Sequence, residues 1–187
     1  MPKKKPISIG LHPWYAKREL LDMQIKYLNV LARQPNVQMI GECGLDKLRG
    51  ESMKDQLEIF EAQIRLAEEL NKPLIIHCVK AFDELLSIKK RLQPKVPMII
   101  HGFQKNTELA YQLIRKGFYL SFGATVITSE ELKHLIKDLH HPFFLETDDG
   151  AAGIEQVYAI VAEIRKIDVE ELKDCIFANW KAIGLMQ

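Results

Sequence analysis

The sequence predicts an α/β fold of parallel strands with surrounding helices. Short apolar runs alternate with longer amphipathic stretches along most of the 187 residues. The links between them are short, which favours parallel strands joined by right-handed crossovers. A closed (β/α) barrel needs eight strands and about 250 residues. We therefore expect an incomplete (β/α) barrel of about six parallel strands, formed by a single domain over residues 1–187.

The strands are predicted from the apolar runs, because strands of a parallel sheet are buried on both faces. They cover residues 7–12, 37–42, 74–79, 98–103, 118–122 and 143–146. The helices are predicted from the stretches with apolar residues at helical spacing, and Ser52, Thr107 and Ser129 stand where three of them begin. These helices cover residues 17–33, 52–70, 81–92, 107–116, 129–139, 154–166 and 169–185.

Composition and charge predict a globular cytoplasmic protein. The net charge is +1, so contact with nucleic acid would depend on local placement of Lys and Arg. Cys43, Cys78 and Cys175 have no CxxC spacing and are expected to be reduced thiols. The basic start of the chain is unlike a signal peptide, and no apolar window of about 18 residues predicts a membrane span.

Polar side chains follow the apolar part of several predicted strands. Two matching segments each consist of a proline, an apolar run and a histidine, which is His77 in one and His101 in the other. Glu42 and Asp148 lie at the ends of two further strands. Parallel strands bring their carboxyl ends to one rim. Because imidazole and carboxylate are ligands of zinc and similar ions, these four residues predict a metal site.

Each of these residues also has a structural role available to it when it is taken alone. A histidine at a strand end can be a core residue that bonds a backbone carbonyl, and Glu42 can cap a helix or pair with a lysine. Their recurrence at equivalent positions favours the metal site. For His12, a structural role and contact with a substrate remain open. Glu146 is expected to point away from Asp148 or to lie deeper, because side chains alternate along a strand.

Short motifs follow one another between about residues 7 and 179. They are Gly-Glu-Cys-Gly-Leu-Asp at 41–46, the helical pattern Gln56, Phe60, Gln63 and Ala67, His-Gly-Phe at 101–103, Gly-Phe-Tyr-Leu-Ser at 117–121 and Glu-Thr-Asp at 146–148. In this combination the chain resembles the TatD family of metal-dependent deoxyribonucleases. The resemblance implies a TIM-like barrel of the amidohydrolase superfamily, with a divalent metal centre that hydrolyses phosphodiesters of DNA.

The resemblance also implies a role for each predicted ligand. Glu42 would bridge two metal ions, and His77 and His101 would complete one of them. Asp148 would serve the other ion and help to activate water, so Glu42 and Asp148 are the catalytic candidates. The first strand of the family carries a His-x-His pair, which this sequence lacks. We therefore expect one bound ion, Zn, Mg or Mn, rather than two.

The candidates for substrate binding are His12 and Lys80. The family often has an arginine for phosphate two positions after the histidine that corresponds to His77. This chain has Val79 there, with Lys80 beside it.

These features predict a divalent-metal-dependent phosphodiester hydrolase, a TatD-like deoxyribonuclease acting on DNA or a small phosphoester. The ion would polarise the phosphoryl oxygen and lower the pKa of bound water from 15.7 to about 7. The alternative is a catalytically impaired TatD-like protein that works as a binding or interaction module, because loss of one ion would slow the reaction roughly a thousandfold. An incomplete barrel has open sheet edges, which predicts a homodimer that covers them.

Overall fold

The computed structural model describes residues 5–148, 150 and 152–185; most of the basic start of the chain and Asp149 lie outside the described residues. The strands are β1 (Ile7–Ile9), β2 (Val37–Asp46), β3 (Leu74–Val79), β4 (Met98–Ile100), β5 (Phe118–Phe122) and β6 (Phe143–Leu145). The helices are α1 (Leu21–Ala32), α2 (Met53–Leu70), α3 (Phe82–Leu92), α4 (Thr107–Arg115), α5 (Glu130–Asp138), α6 (Ile154–Arg165) and α7 (Val169–Ala182). Each helix in this part of the chain is too short or too polar to span a membrane.

Every predicted strand and helix is present, but several ends differ from the prediction. β2 continues to Asp46, whereas β1 and β4 stop before the residues expected to end them. β3 has the predicted bounds and contains His77. Because β4 ends at Ile100, His101 directly follows it. Ser52 and Ser129 cap their helices as expected. The cap of α4 is Asn106 rather than Thr107, because the Asn106 side chain accepts the backbone N–H of Leu109.

The chain divides into two compact units, the N-terminal unit (Met1–Ile99) and the C-terminal unit (Ile100–Gln187). In the N-terminal unit, β1, β2 and β3 are parallel and adjacent in chain order. The Ile40, Phe60 and Ile76 side chains are fully buried in its core. Between Ile40 and Cys43, β2 contains one residue more than β3, which forms a β-bulge around Glu42.

In the C-terminal unit, β5 and β6 are parallel, with Ser121 opposite Phe144. Phe144 is fully buried, and its ring lies 3.9 Å from the ring of Trp180 on α7, measured between centroids. The backbone N–H of Glu146 donates to the carbonyl oxygen of Phe122 at 3.1 Å. This bond holds the segment after β6 against the end of β5. The prediction of a single domain over residues 1–187 stays a prediction.

Candidate functional site

The pairing of β2 with β3 places His77 between two carboxylates. His77 lies opposite Gly44. Residues two positions before and after Gly44 share its side of the strand, so Glu42 and Asp46 flank the histidine. The Nδ1 atom of His77 is 2.8 Å from Glu42 Oε1, and its Nε2 atom is 3.1 Å from Asp46 Oδ2. A Cβ atom on Gly44 would lie 2.1 Å from the His77 carbonyl oxygen, so only glycine permits this approach.

Asp46 fixes the orientation of His77. Its side chain is 2% exposed and accepts the indole N–H of Trp14 at 2.6 Å and the backbone N–H of Leu48 at 2.7 Å. Burial acts to raise the pKa of Asp46, but the hydrogen bonds from Trp14, Leu48 and His77 together bring it below its usual value. Because an ionised carboxylate only accepts, Nε2 of His77 carries a proton, and in the neutral ring Nδ1 then keeps its lone pair.

The contact between Glu42 and His77 is therefore suited to a cation. The Nδ1 lone pair of His77 and the Oε1 atom of Glu42 face each other at 2.8 Å. Two acceptors at this distance are stable only when a proton or a metal ion lies between them. Metal-binding histidines commonly donate their second ring N–H to a carboxylate, as His77 does to Asp46.

His12 shares Glu42 with His77 but is suited to a different task. Its Nε2 atom lies 3.2 Å from Glu42 Oε1. Its Nδ1 atom accepts the backbone N–H of Trp14 at 3.2 Å, so the proton of a neutral ring is on Nε2. His12 consequently presents a hydrogen-bond donor where a metal ligand would need a lone pair. This arrangement favours the predicted contact with an anionic substrate.

Two buried glutamines of α2 hold the loops that carry these residues. Gln63 accepts the backbone N–H of Leu11 at 2.6 Å and donates to the Leu11 carbonyl oxygen at 3.0 Å. Gln56 accepts the backbone N–H of Asp46 at 2.7 Å and donates to three carbonyl oxygens within residues 46–51. The glutamines are seven residues apart and lie on one helix face. One helix thus positions both loops.

Another group of possible ligands lies in the C-terminal unit. The Nδ1 atom of His101 is 3.4 Å from Glu146 Oε1 and 3.9 Å from Asp148 Oδ2. The backbone N–H of Gly102 donates to the same Glu146 oxygen at 2.6 Å, which orients that carboxylate. The side chain of Glu146 is 20% exposed and that of Asp148 is 52% exposed. Asp148 is therefore the carboxylate of this group that is most open to solvent.

The four predicted metal ligands thus fall into two groups of three possible ligands, with two of the four in each group. We call them the Glu42 group, which is His12, Glu42 and His77, and the Glu146 group, which is His101, Glu146 and Asp148. Within each group, one possible ligand atom per residue lies within 4.8 Å of the others. Imidazole and carboxylate together fit zinc or a similar divalent ion. The assignment of Glu42, His77, His101 and Asp148 as ligands stays a prediction, as does the number of ions.

The sequence pattern alone does not identify three residues that take part in or support these groups. Glu146 lies deeper than Asp148, as expected, but it also faces His101, because β6 ends at Leu145 and strand alternation stops there. Asp46 is four residues beyond Glu42 on one strand, a spacing that becomes informative once β2 is known to continue. Trp14 has no motif around it that marks it as functional, yet its indole N–H donates to Asp46.

Comparison of the sequence with known proteins identifies the family. The profile described as TatD related DNase matches residues 2–183. An uncharacterized metal-dependent hydrolase of Methanocaldococcus jannaschii is 29% identical over 185 residues, which cover 92% of this chain and 73% of that protein. A 3′-5′ ssDNA/RNA exonuclease TatD of Citrobacter koseri is 32% identical over 152 residues, which cover 75% of this chain and 56% of that protein.

Solved structures show the same fold. The YjjV protein of Escherichia coli, a TatD homolog, matches with a TM-score of 0.81 at 23% identity, over 95% of this chain and 76% of that chain. A TatD family hydrolase of Entamoeba histolytica matches with a TM-score of 0.78 at 19% identity, over 95% of this chain and 74% of that chain. These likenesses confirm the predicted fold class. The profile match shows that the chain belongs to the TatD family of metal-dependent hydrolases.

Proposed function

We propose that this protein hydrolyses phosphodiester bonds in nucleic acid with a divalent metal ion, as a TatD-like deoxyribonuclease. The contact between Glu42 and His77 carries the proposal, because two facing acceptors at 2.8 Å require a cation or a proton. The relative from Citrobacter koseri is named a 3′-5′ ssDNA/RNA exonuclease, which supports nucleic acid as the substrate.

The proposal assigns metal-binding residues in each group. Glu42 and His77 in one group, and His101 and Asp148 in the other, are the residues that would hold metal. A bound divalent ion would polarise a phosphoryl oxygen and promote the ionisation of water. The exposed carboxylate of Asp148 would take a proton from an attacking water, whereas Glu146 is held by the backbone N–H of Gly102.

His12 and Lys80 are the proposed contacts with the substrate. The Nε2–H group of His12 points at Glu42 Oε1 and can donate instead to a phosphate oxygen that approaches this carboxylate. Lys80 is exposed directly after β3, the strand that carries His77, and adds positive charge at that end of the strand.

A cytoplasmic location remains part of the proposal, and the free thiols of all three cysteines are consistent with it.

The proposal is tested with the purified full chain. Its metal content is measured first, and hydrolysis of a labelled single-stranded DNA oligonucleotide and of a small phosphodiester is then measured with Mg²⁺, Mn²⁺ or Zn²⁺. We expect metal-dependent cleavage and a loss of roughly a thousandfold or more in Glu42→Gln. Glu69→Gln is the matched control, because Glu69 is an exposed residue of α2 that pairs with Arg33; this variant should cleave normally.

Two results would contradict the proposal. Undiminished cleavage by Glu42→Gln would show that the reaction does not need Glu42. A wild-type chain that binds no metal and cleaves neither substrate would instead favour the binding module.

A further inference from the structure

An exposed tyrosine lies beside the Glu42 group. The side chain of Tyr15 is 70% exposed, yet its ring centroid is 5.7 Å from that of His12. The backbone N–H groups of Tyr15 and Ala16 both donate to the His12 carbonyl oxygen at 3.0 Å. These bonds fix the backbone between the tyrosine and the histidine, so the two rings are held as neighbours.

The neighbouring side chains make this surface both aromatic and cationic. The ring of Trp14 is 6.2 Å from that of Tyr15 and meets it edge to face. The guanidinium of Arg49 lies 3.8 Å from the centroid of the Trp14 ring, a cation–π contact that covers the tryptophan. Tyr15 is therefore the aromatic side chain of this loop that offers most of its surface to a ligand.

We infer that Tyr15 stacks against a nucleobase of the substrate, an inference that rests on the proposed function and names a binding residue for it. A base is separated from its own phosphate by a single sugar. A phosphate held where His12 and Glu42 meet would therefore bring an adjacent base to the Tyr15 ring. Stacking on aromatic side chains tolerates any base and needs a base that is free of its partner strand. Binding through Tyr15 therefore depends on intact, unpaired bases.

The test compares two oligonucleotides of equal length, one with all its bases and one with abasic residues near the cleaved end. Binding is measured by fluorescence anisotropy, and cleavage is measured in parallel with the metal that supports it. For the intact oligonucleotide, Tyr15→Ala should weaken binding about tenfold and raise KM by a similar factor with kcat nearly unchanged. The abasic oligonucleotide should bind wild type and Tyr15→Ala equally.

Two further variants show whether the aromatic face of Tyr15 is the group that binds. Tyr15→Phe removes the hydroxyl but keeps the aromatic face, so it should bind like wild type. Tyr27→Ala is the matched control, because Tyr27 is 64% exposed on α1, and it should also bind like wild type.

Three results would overturn the inference. The first is equal binding of the intact oligonucleotide by wild type and Tyr15→Ala. The second is a Tyr15→Ala variant that loses as much affinity for the abasic oligonucleotide as for the intact one. The third is a Tyr15→Phe variant that binds the intact oligonucleotide as weakly as Tyr15→Ala. If wild type cleaves DNA and Tyr15→Ala is unaffected, the stacking surface is wrong and the proposed function stands. If wild type cleaves nothing but binds through Tyr15 in a base-dependent way, the proposed function is wrong and the stacking surface stands.

Discussion

His77 lies opposite Gly44 in the parallel pairing of β2 and β3, with its two ring nitrogens directed at Glu42 and Asp46. The glycine has a φ of +137°, a conformation that side chains rarely adopt. The close approach of the two strands and the position of the imidazole therefore depend on the same residue.

Gly44→Ala should strongly destabilise the protein. The new Cβ atom would lie 2.1 Å from the His77 carbonyl oxygen, so β2 and β3 must separate. We expect a loss of about 3 kcal/mol or more in the free energy of unfolding, measured by urea denaturation. Gly184→Ala is the control, because Gly184 also has a positive φ but no atom within 4 Å of the added Cβ. It should cost only about 1 kcal/mol, and equal losses in the two variants would contradict a steric role for Gly44.

Asp46→Asn should lower the free energy of unfolding at neutral pH. It should also make that free energy depend less on pH in the acidic range. The asparagine offers one oxygen where the carboxylate offers two, so a donor such as Leu48 N–H or Trp14 Nε1–H loses its partner. The cost should be about 1–3 kcal/mol. The hydrogen bonds hold the pKa of Asp46 below 3.8, so the stabilisation is present above that pH and disappears as pH falls through the lowered value.

The measurement for Asp46 is the urea midpoint of wild type and variant between about pH 6 and pH 3. Wild type should lose more stability than Asp46→Asn over the acidic part of this range. Parallel curves for the two proteins would show that Asp46 titrates alike in the folded and unfolded chain.

His12→Ala should reduce turnover without releasing metal. The ring donates through Nε2 and accepts through Nδ1, so it is suited to bind the substrate and not the ion. We expect about a hundredfold lower kcat/KM for oligonucleotide cleavage and an unchanged metal content. His134→Ala, which changes an exposed histidine of α5, is the control. Loss of metal from His12→Ala would instead identify His12 as a ligand.

The three thiols should react very differently with a thiol reagent. Burial raises the pKa of Cys43 far above its usual value and raises that of Cys78 to about 12, so neither forms a thiolate readily. Cys175 on α7 is exposed. The native protein should therefore release one equivalent from Ellman's reagent at mildly alkaline pH, and the denatured protein three. Rapid reaction of all three thiols in the native protein would contradict the buried placement of Cys43 and the half-buried placement of Cys78.

Most of the secondary structure can be predicted from the sequence, because its signals are local. The apolar runs give the six strands, and the serines at 52 and 129 mark two helix starts. The end of β2 is harder to predict. A glycine within an apolar run usually indicates the end of a strand, but Gly41 and Gly44 allow β2 to bulge and continue beside β3.

The site is only partly predictable for a different reason. Glu42, His77, His101 and Asp148 can be selected because each follows or ends an apolar run, a feature that is visible locally. The contacts that give them their chemistry join distant parts of the chain. Trp14 and Asp46 are 32 residues apart, and no periodicity links them. In the neutral ring of His12, Nε2 is the donor because Nδ1 accepts the backbone N–H of Trp14. No residue pattern in the sequence encodes that single contact.

Gln56 and Gln63 also set the distance between the two loops that they hold. The two loops that they clamp are spaced by two turns of one helix, a length of about 10 Å that follows from helical pitch. A change elsewhere in either loop therefore leaves the distance between their anchoring points unchanged as long as both glutamines are kept.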